Sequence, residues 1–222
     1  MPSYRYIFGP VPSRRFGRSL GVDLTPTCTL DCVFCQLGHT SCKTLERQAY
    51  VPVESVKDEL ARWLEKGGEA DYVTLSGSGE PTLHSGFGQV LEFVKNETPF
   101  TAVVLSNGTL FWMAEVREAA SWADIAKVSL SAWNSNSFQT INRPHADLRF
   151  DRCVEGLHQF RESFRAKLWL EVFLVPGMNS RCLQVEQIAR IAETLAPDEI
   201  HLNTAVRVAR REHLLQRARE RN

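Results

Sequence analysis

Thr27-Cys28-Thr29-Leu30-Asp31-Cys32-Val33-Phe34-Cys35-Gln36 puts three cysteines at a C-x3-C-x2-C spacing. Thiolates this close in sequence can converge on one metal centre, and cubane iron–sulfur clusters are held by cysteine sulfur. Three ligands in place of four leave one iron open to a small molecule, which points to chemistry and away from simple electron storage. A structural zinc site is the competing reading, with Cys28, Cys32 and Cys35 joined by His39 or Cys42 in a tetrahedral set. A disulfide framework suits small secreted chains. This sequence has 222 residues, and its opening, Met1-Pro-Ser-Tyr-Arg-Tyr6, lacks the apolar core of a secretory signal.

Outward from the cysteines the chain alternates between strand and helix patterns. Residues 1–18, rich in Pro, Gly, Ser and Arg, read as an ordered loop. Ser19–Leu24 is a predicted strand that feeds the cysteine loop. Val53–Lys66 has helical spacing and stops at Gly67-Gly68. Then follow strand 72–75, helix 87–95, strand 101–105, helix 112–121, strand 126–130, helix 152–164, strand 168–175, helix 184–195 and strand 199–202. Six strands alternating with helices indicate βαβ units and a parallel sheet, either doubly wound or a partial barrel. The unusual residues all fall at or just past C-terminal strand ends, the edge where such sheets place their sites.

Composition excludes several classes. The chain is 43% hydrophobic and 23% charged, with a formal net charge of zero, so overall charge favours no particular partner. No apolar run approaches the roughly 20 residues needed to span a bilayer. Six cysteines without a distributed pairing framework suit a reducing compartment, and the cytoplasm is the expectation.

Gly77-Ser78-Gly79-Glu80-Pro81 follows the second strand. Glycines let a backbone approach a ligand closely, and a neighbouring carboxylate can accept from an ammonium group; a plain turn before a helix is the alternative. Ser106-Asn107-Gly108 closes the third strand, where a helix cap is the alternative. Ser129 and Ser131 end the fourth, both facing one side if Leu130 points to the other. Glu171 is a lone charge in an apolar strand, either lining a cavity or paired with Lys167 or a nearby arginine. Asn179 lies in the loop beyond it.

Together these motifs resemble the radical S-adenosylmethionine (radical SAM) superfamily, over roughly residues 7–207. Gly9-Pro-Val-Pro-Ser-Arg-Arg-Phe-Gly-Arg18, Ile141-Asn-Arg-Pro-His145 and His201-Leu-Asn-Thr204 are similar to signatures of a group related to the wyosine-tRNA synthases, whose bacterial members have no assigned substrate. The resemblance implies a partial (β/α)6 TIM-type barrel over residues 1–205, with the cluster loop after the first strand. It implies one [4Fe-4S] cluster on Cys28, Cys32 and Cys35, with S-adenosylmethionine on the open iron. Reduction by a flavodoxin- or ferredoxin-type donor then yields a 5′-deoxyadenosyl radical. Cofactor contacts are expected from Phe34, Gly77, Ser78, Gly79, Glu80, Ser106, Asn107, Ser129, Ser131, Glu171 and Asn179. Arg14, Arg15, Arg143 and His145 are the candidates for an anionic substrate, with RNA one possibility.

The sequence departs from the wyosine synthases in having no cysteine before Cys28, which argues against a second cluster. Relatives carry an acid where this chain has Ser131. Residues 206–222, with six arginines and two glutamates, are expected to be a solvated or frayed basic helix. The alternative to catalysis is a shortened or non-catalytic iron–sulfur or zinc binding protein.

Overall fold

The computed structural model describes residues 4–13 and 15–204. Arg14 and the basic segment 206–222 therefore lie outside the described residues. Seven strands form one sheet in the order β1 to β7: Ile7–Ser13, Gly17–Val22, Tyr72–Leu75, Thr101–Ser106, Ile125–Ser129, Lys167–Leu174 and Glu199–Thr204. β2 to β7 are parallel, neighbour to neighbour, and curl into a half-barrel. The order follows from right-handed βα units stepping one strand at a time.

β1 corrects the loop expected for residues 1–18. It pairs antiparallel with β2, with an irregular register between Phe8 and Val11. Its sequence, Ile-Phe-Gly-Pro-Val-Pro-Ser, shows no alternation, and it leaves Phe8 and Val11 exposed on the edge. Prolines are tolerated there because the outer N–H row has no partner to lose. The strand is made by pairing with its neighbour, not by its own residues.

The helices form from apolar stripes at 3.6-residue spacing. In α1 (Val53–Glu65) the buried row is Val56, Glu59, Leu60 and Trp63. Gly67 ends it at φ +76°, a left-handed conformation glycine adopts without penalty, and its N–H bonds Leu64 O at 2.8 Å. The other helices are α2 (Phe87–Glu97), α3 (Ala114–Ala120), the short α4 (Ser135–Ser137), α5 (Phe150–Ser163) and α6 (Cys182–Leu195). α4 runs into a π turn at Phe138–Asn142, which ends on Arg143 with φ +47°.

Strand alternation divides the sheet into two faces. Val104, Val128, Leu130 and Leu170 join the large core shared with the helices. Val103, Ile125 and Trp169 instead form a small inner cluster with Phe16. Phe16 comes from the β1–β2 turn, stacks on Trp169 at 5.3 Å and meets Tyr72 edge-on at 5.4 Å. It plugs the concave side of the half-barrel away from the cysteine loop. Among the described residues no helix is long and apolar enough to cross a membrane.

Because Phe16 is only 4% exposed, Phe16→Ala should cost about 3 kcal/mol from lost burial and the cavity left behind. The check is a urea titration, in which the midpoint should fall at unchanged slope.

Candidate functional site

The cysteine loop leaves β2 and is strapped down by a segment far along the chain. Val33 N donates to Ile141 O (2.9 Å), Asp31 N to the carbonyls of Asn142 and Arg143 (3.1 and 3.2 Å), and His145 N to Thr29 O (2.9 Å). Lys43 Nζ closes the strap from outside, donating to the carbonyls of Arg143 (2.9 Å) and Pro144 (2.8 Å). On the other flank Glu80 N donates to Thr27 O at 2.9 Å. A Cβ on Gly79 would sit 1.9 Å from that same oxygen, so only glycine permits this approach.

The loop brings the three sulfurs into one neighbourhood. Burial, and then the charge of Glu80, push the Cys28 thiol up to about 12, with a smaller contribution from Cys35. Burial likewise pushes Cys32 far up, and Cys28 and Cys35 add to the effect. Asn107 Nδ2 lies 3.5 Å from Cys28 Sγ, and Asn142 Nδ2 lies 3.4 Å from Cys32 Sγ. Thiols that resist ionisation by burial are converted to thiolates by a cationic metal centre, so a donor set of this kind fits one.

Among the described residues no group of three or more His, Cys, Asp or Glu side chains is placed to hold a single metal ion. Cubane iron–sulfur clusters are held by cysteine thiolates, the donor type this loop supplies. Of the two residues weighed as a fourth zinc ligand, His39 Nδ1 meets Asp31 Oδ2 at 2.9 Å, and Cys42 is exposed. Cys153 and Cys182 lie on α5 and α6.

Glu80 is the hub of the neighbouring strand ends. Its buried carboxylate accepts from Thr82 N (3.1 Å), Thr82 Oγ1 (2.6 Å), Ser106 Oγ (2.7 Å) and Asn107 N (2.7 Å). Burial nevertheless pushes its carboxyl above the ordinary range, with these four bonds opposing the shift. The carboxylate expected to meet an ammonium group is thus surrounded by protein donors. Gly77 takes φ +131°, and Ser78 donates through N (3.0 Å) and Oγ to Asp23 Oδ2.

A small cleft is bounded by Asn107, Ser129, Leu130, Ser131 and Asn142, with Cys153 and Leu157 of α5 on its far side. Leu130 joins the large core and also lines this cleft between the two serines. Ser131 Oγ, however, accepts from Phe173 N at 3.1 Å. Asn179 is fully buried, donating to the carbonyls of Ser131 and Phe173 and accepting from Val175 N, so its side chain fastens its own loop. Phe34 stacks on Phe173 at 4.3 Å.

Glu171 pairs with Lys127 and with Arg15 (2.8 Å), not with Lys167. Burial pulls the Lys127 ammonium below its ordinary value and the Glu171 charge opposes that. Arg143 reaches to 3.5 Å from Asp31 Oδ2, and His145 Nδ1 lies 3.7 Å from Asp147 Oδ2. The structure thus brings Arg143 and His145 to the cysteine loop, while Arg15 sits with Glu171 on the concave face. Asn142 and Lys127 were not singled out from the sequence. Asn142 lay inside the quoted Ile141–His145 motif, and only the fold reveals its proximity to Cys32.

A family model described as the radical SAM superfamily matches residues 22–189. A Synechocystis protein named UPF0026 is 35% identical over 204 residues, covering 90% of this chain and 76% of that one. A Brachyspira hyodysenteriae protein named GTPase Obg is 36% identical over 203 residues, covering 90% of this chain and 30% of that protein. The structure of Streptococcus suis SuiB bound to S-adenosylmethionine superposes with a TM-score of 0.65 at 17% identity, over 90% of this chain and 46% of that one. This chain therefore spans less than half of the latter two, and the SuiB likeness shows the shared half-barrel fold.

The site makes a prediction about acid. His84, fully buried, donates from Nε2 to Val51 O (2.8 Å) and accepts at Nδ1 from Gly86 N (3.0 Å), tying the exit of the cysteine loop to α2. Burial pushes this imidazole below its ordinary 6.5. The folded chain then binds the proton less readily than the unfolded chain. Stability is complete above pH 6.5 and declines as the pH falls below it. Denaturant midpoints measured across that range should slope less in His84→Asn than in the wild type; equal slopes would contradict this assignment.

Proposed function

The chain belongs to the radical SAM superfamily, and from that premise we propose that it is an enzyme holding one [4Fe-4S] cluster on Cys28, Cys32 and Cys35 and cleaving S-adenosylmethionine reductively. The observation that supports this reading is the seating of the cysteine loop at the C-terminal edge of the half-barrel, where amides from two separate elements reach two of its sulfurs. Asn107 and Asn142 each touch a cysteine sulfur and also line the cleft. A cluster held by three cysteines would leave one iron without a protein ligand, and that position would be open to S-adenosylmethionine. When bound, the cluster supplies one electron, drawn from a flavodoxin- or ferredoxin-type donor, to yield methionine and a 5′-deoxyadenosyl radical that takes hydrogen from a substrate.

The chain's own residues orient and shield. Gly77, Ser78 and Gly79 present backbone beside the cysteine loop, where a ligand's amino and carboxylate groups can be met by N–H and C=O. Glu80 acts by bracing Ser106 and Asn107, and Ser129 faces the ligand from β5. The Phe34–Phe173 stack beside the cysteine loop would help keep water from a reactive intermediate. Ser131 and Asn179 hold the β6 loop against β5, so their role toward the cofactor is to shape its cleft.

Arg15, Arg143 and His145 remain the substrate candidates, with Lys127 and Glu171 as a charged floor on the concave face. The similarity of the opening segment to wyosine-type proteins makes RNA the first substrate class to try. Its anionic backbone would suit the arginines.

After anaerobic reconstitution and reduction, the wild type should release 5′-deoxyadenosine from S-adenosylmethionine, read by chromatography. Cys32→Ala should reduce that release at least about a hundredfold, since a lost ligand removes the metal centre. Retention of full release in Cys32→Ala would overturn the assignment.

A further inference from the structure

Two asparagine amides approach two of the three cysteine sulfurs from different elements. Asn107 follows β4; its Oδ1 accepts from Thr109 N (3.0 Å) and Thr109 Oγ1 (2.7 Å). A backbone N–H can only donate, so this fixes the amide orientation and turns Nδ2 toward Cys28 Sγ and Thr29 Oγ1. Asn142 ends the π turn and is 6% exposed. Its Nδ2 faces Cys32 Sγ, while its Oδ1 is buried with no partner among the described residues.

That orphan is informative. A buried acceptor left unpaired loses its hydration without a bond in return. The strap at Asp31–Val33 holds Asn142 in place by its backbone regardless. The side chain therefore contributes a donor to sulfur at the expense of its own carbonyl. A neutral thiol is a weak acceptor, but a thiolate takes a charge-assisted bond of about twice the strength. Both contacts gain most when the sulfurs carry negative charge. No comparable side-chain amide meets Cys35 among the described residues.

We propose that Asn107 and Asn142 are positioning residues that set the reduction potential of the cluster, by donating N–H···S bonds to the thiolates of Cys28 and Cys32. The proposal rests on the reading of those cysteines as cluster ligands. Reduction adds one electron from the external donor and transfers no atom. The added charge spreads over the sulfurs, and a fixed N–H donor stabilises the reduced state more than the oxidised one. Hydrogen bonds to sulfur are among the levers that set such potentials. The two amides thus make the electron easier to accept at the position where it is needed.

The test compares reconstituted wild type with Asn107→Leu, Asn142→Leu and the double variant. Reduction potentials are read from the electron paramagnetic resonance amplitude during stepwise reduction with dithionite. Each single variant should lower the one-electron reduction equilibrium about three- to tenfold, tenfold being 59 mV, and the double variant by about the product. Potentials unchanged in both single variants would overturn the proposal. If the leucine variants do not take up iron, Asn107→Ala and Asn142→Ala replace them. Failure of all four beside a loaded wild type also overturns it, since the amides would then serve assembly. A wild type that takes up no iron sinks the cluster reading itself, a result distinct from either.

Discussion

The backbone pairing of residues 29–33 with 141–145 is the constraint on which the site depends. The cysteine loop is long and carries no helix or strand of its own between β2 and α1, although Leu24, Leu30 and Val33 are buried. Such a segment gains a fixed shape by spending its N–H and C=O groups on another part of the chain. Here Asp31, Val33 and Thr29 spend theirs on Ile141, Asn142, Arg143 and His145. Leu30 and Pro144 form the isolated antiparallel bridge at the centre. Arg143 is held in a left-handed conformation to turn the strap, an arrangement that non-glycine residues seldom adopt without a compensating gain.

The opposite flank depends on Glu80. One carboxylate gathers the 3₁₀ turn at Pro81–Leu83, the hydroxyl of Ser106 and the backbone of Asn107, and so ties the C-terminal ends of β3 and β4 together. Burying a carboxylate is costly unless donors surround it. With four of them in place, the group serves as a bracket, and losing any one would leave buried charge less compensated. The bracket positions Asn107, and Asn107 reaches Cys28. Strap and bracket thus hold two sides of the loop, each delivering an amide to a sulfur.

Much of the architecture was legible from spacing. Tyr72–Leu75 emerges with the bounds read from its residues, and the remaining parallel strands and the helices other than the short α4 shift by one or two residues at their ends. Their signals are local: β-branched runs, apolar stripes and glycine stops. β1 was not legible because its residues carry no strand pattern and its existence depends on the neighbouring β2. The same distinction holds at the site. The cysteine spacing is local, and so are Gly77–Glu80 and Ser106–Gly108. The contact of Asn142 with Cys32 joins residues 110 positions apart, which no single sequence displays. For Glu171 the sequence offers Lys167, a neighbour in sequence, or an arginine, and the arginine is present as Arg15. The sheet register also sets Ser129 opposite Glu171, and so brings Lys127, two residues back on β5, within reach. Ser131 and Asn179 had the right chemistry for ligand contacts, but the fold spends their polar groups on closing the β6 loop.

The central claim is that the three cysteines hold a cluster with one position open to S-adenosylmethionine. Electron paramagnetic resonance of the reduced, anaerobically reconstituted protein, recorded with and without S-adenosylmethionine, tests it most directly. The account predicts a [4Fe-4S] signal whose g-values shift when the molecule is added. A cluster signal indifferent to S-adenosylmethionine, or no cluster at all, would contradict it.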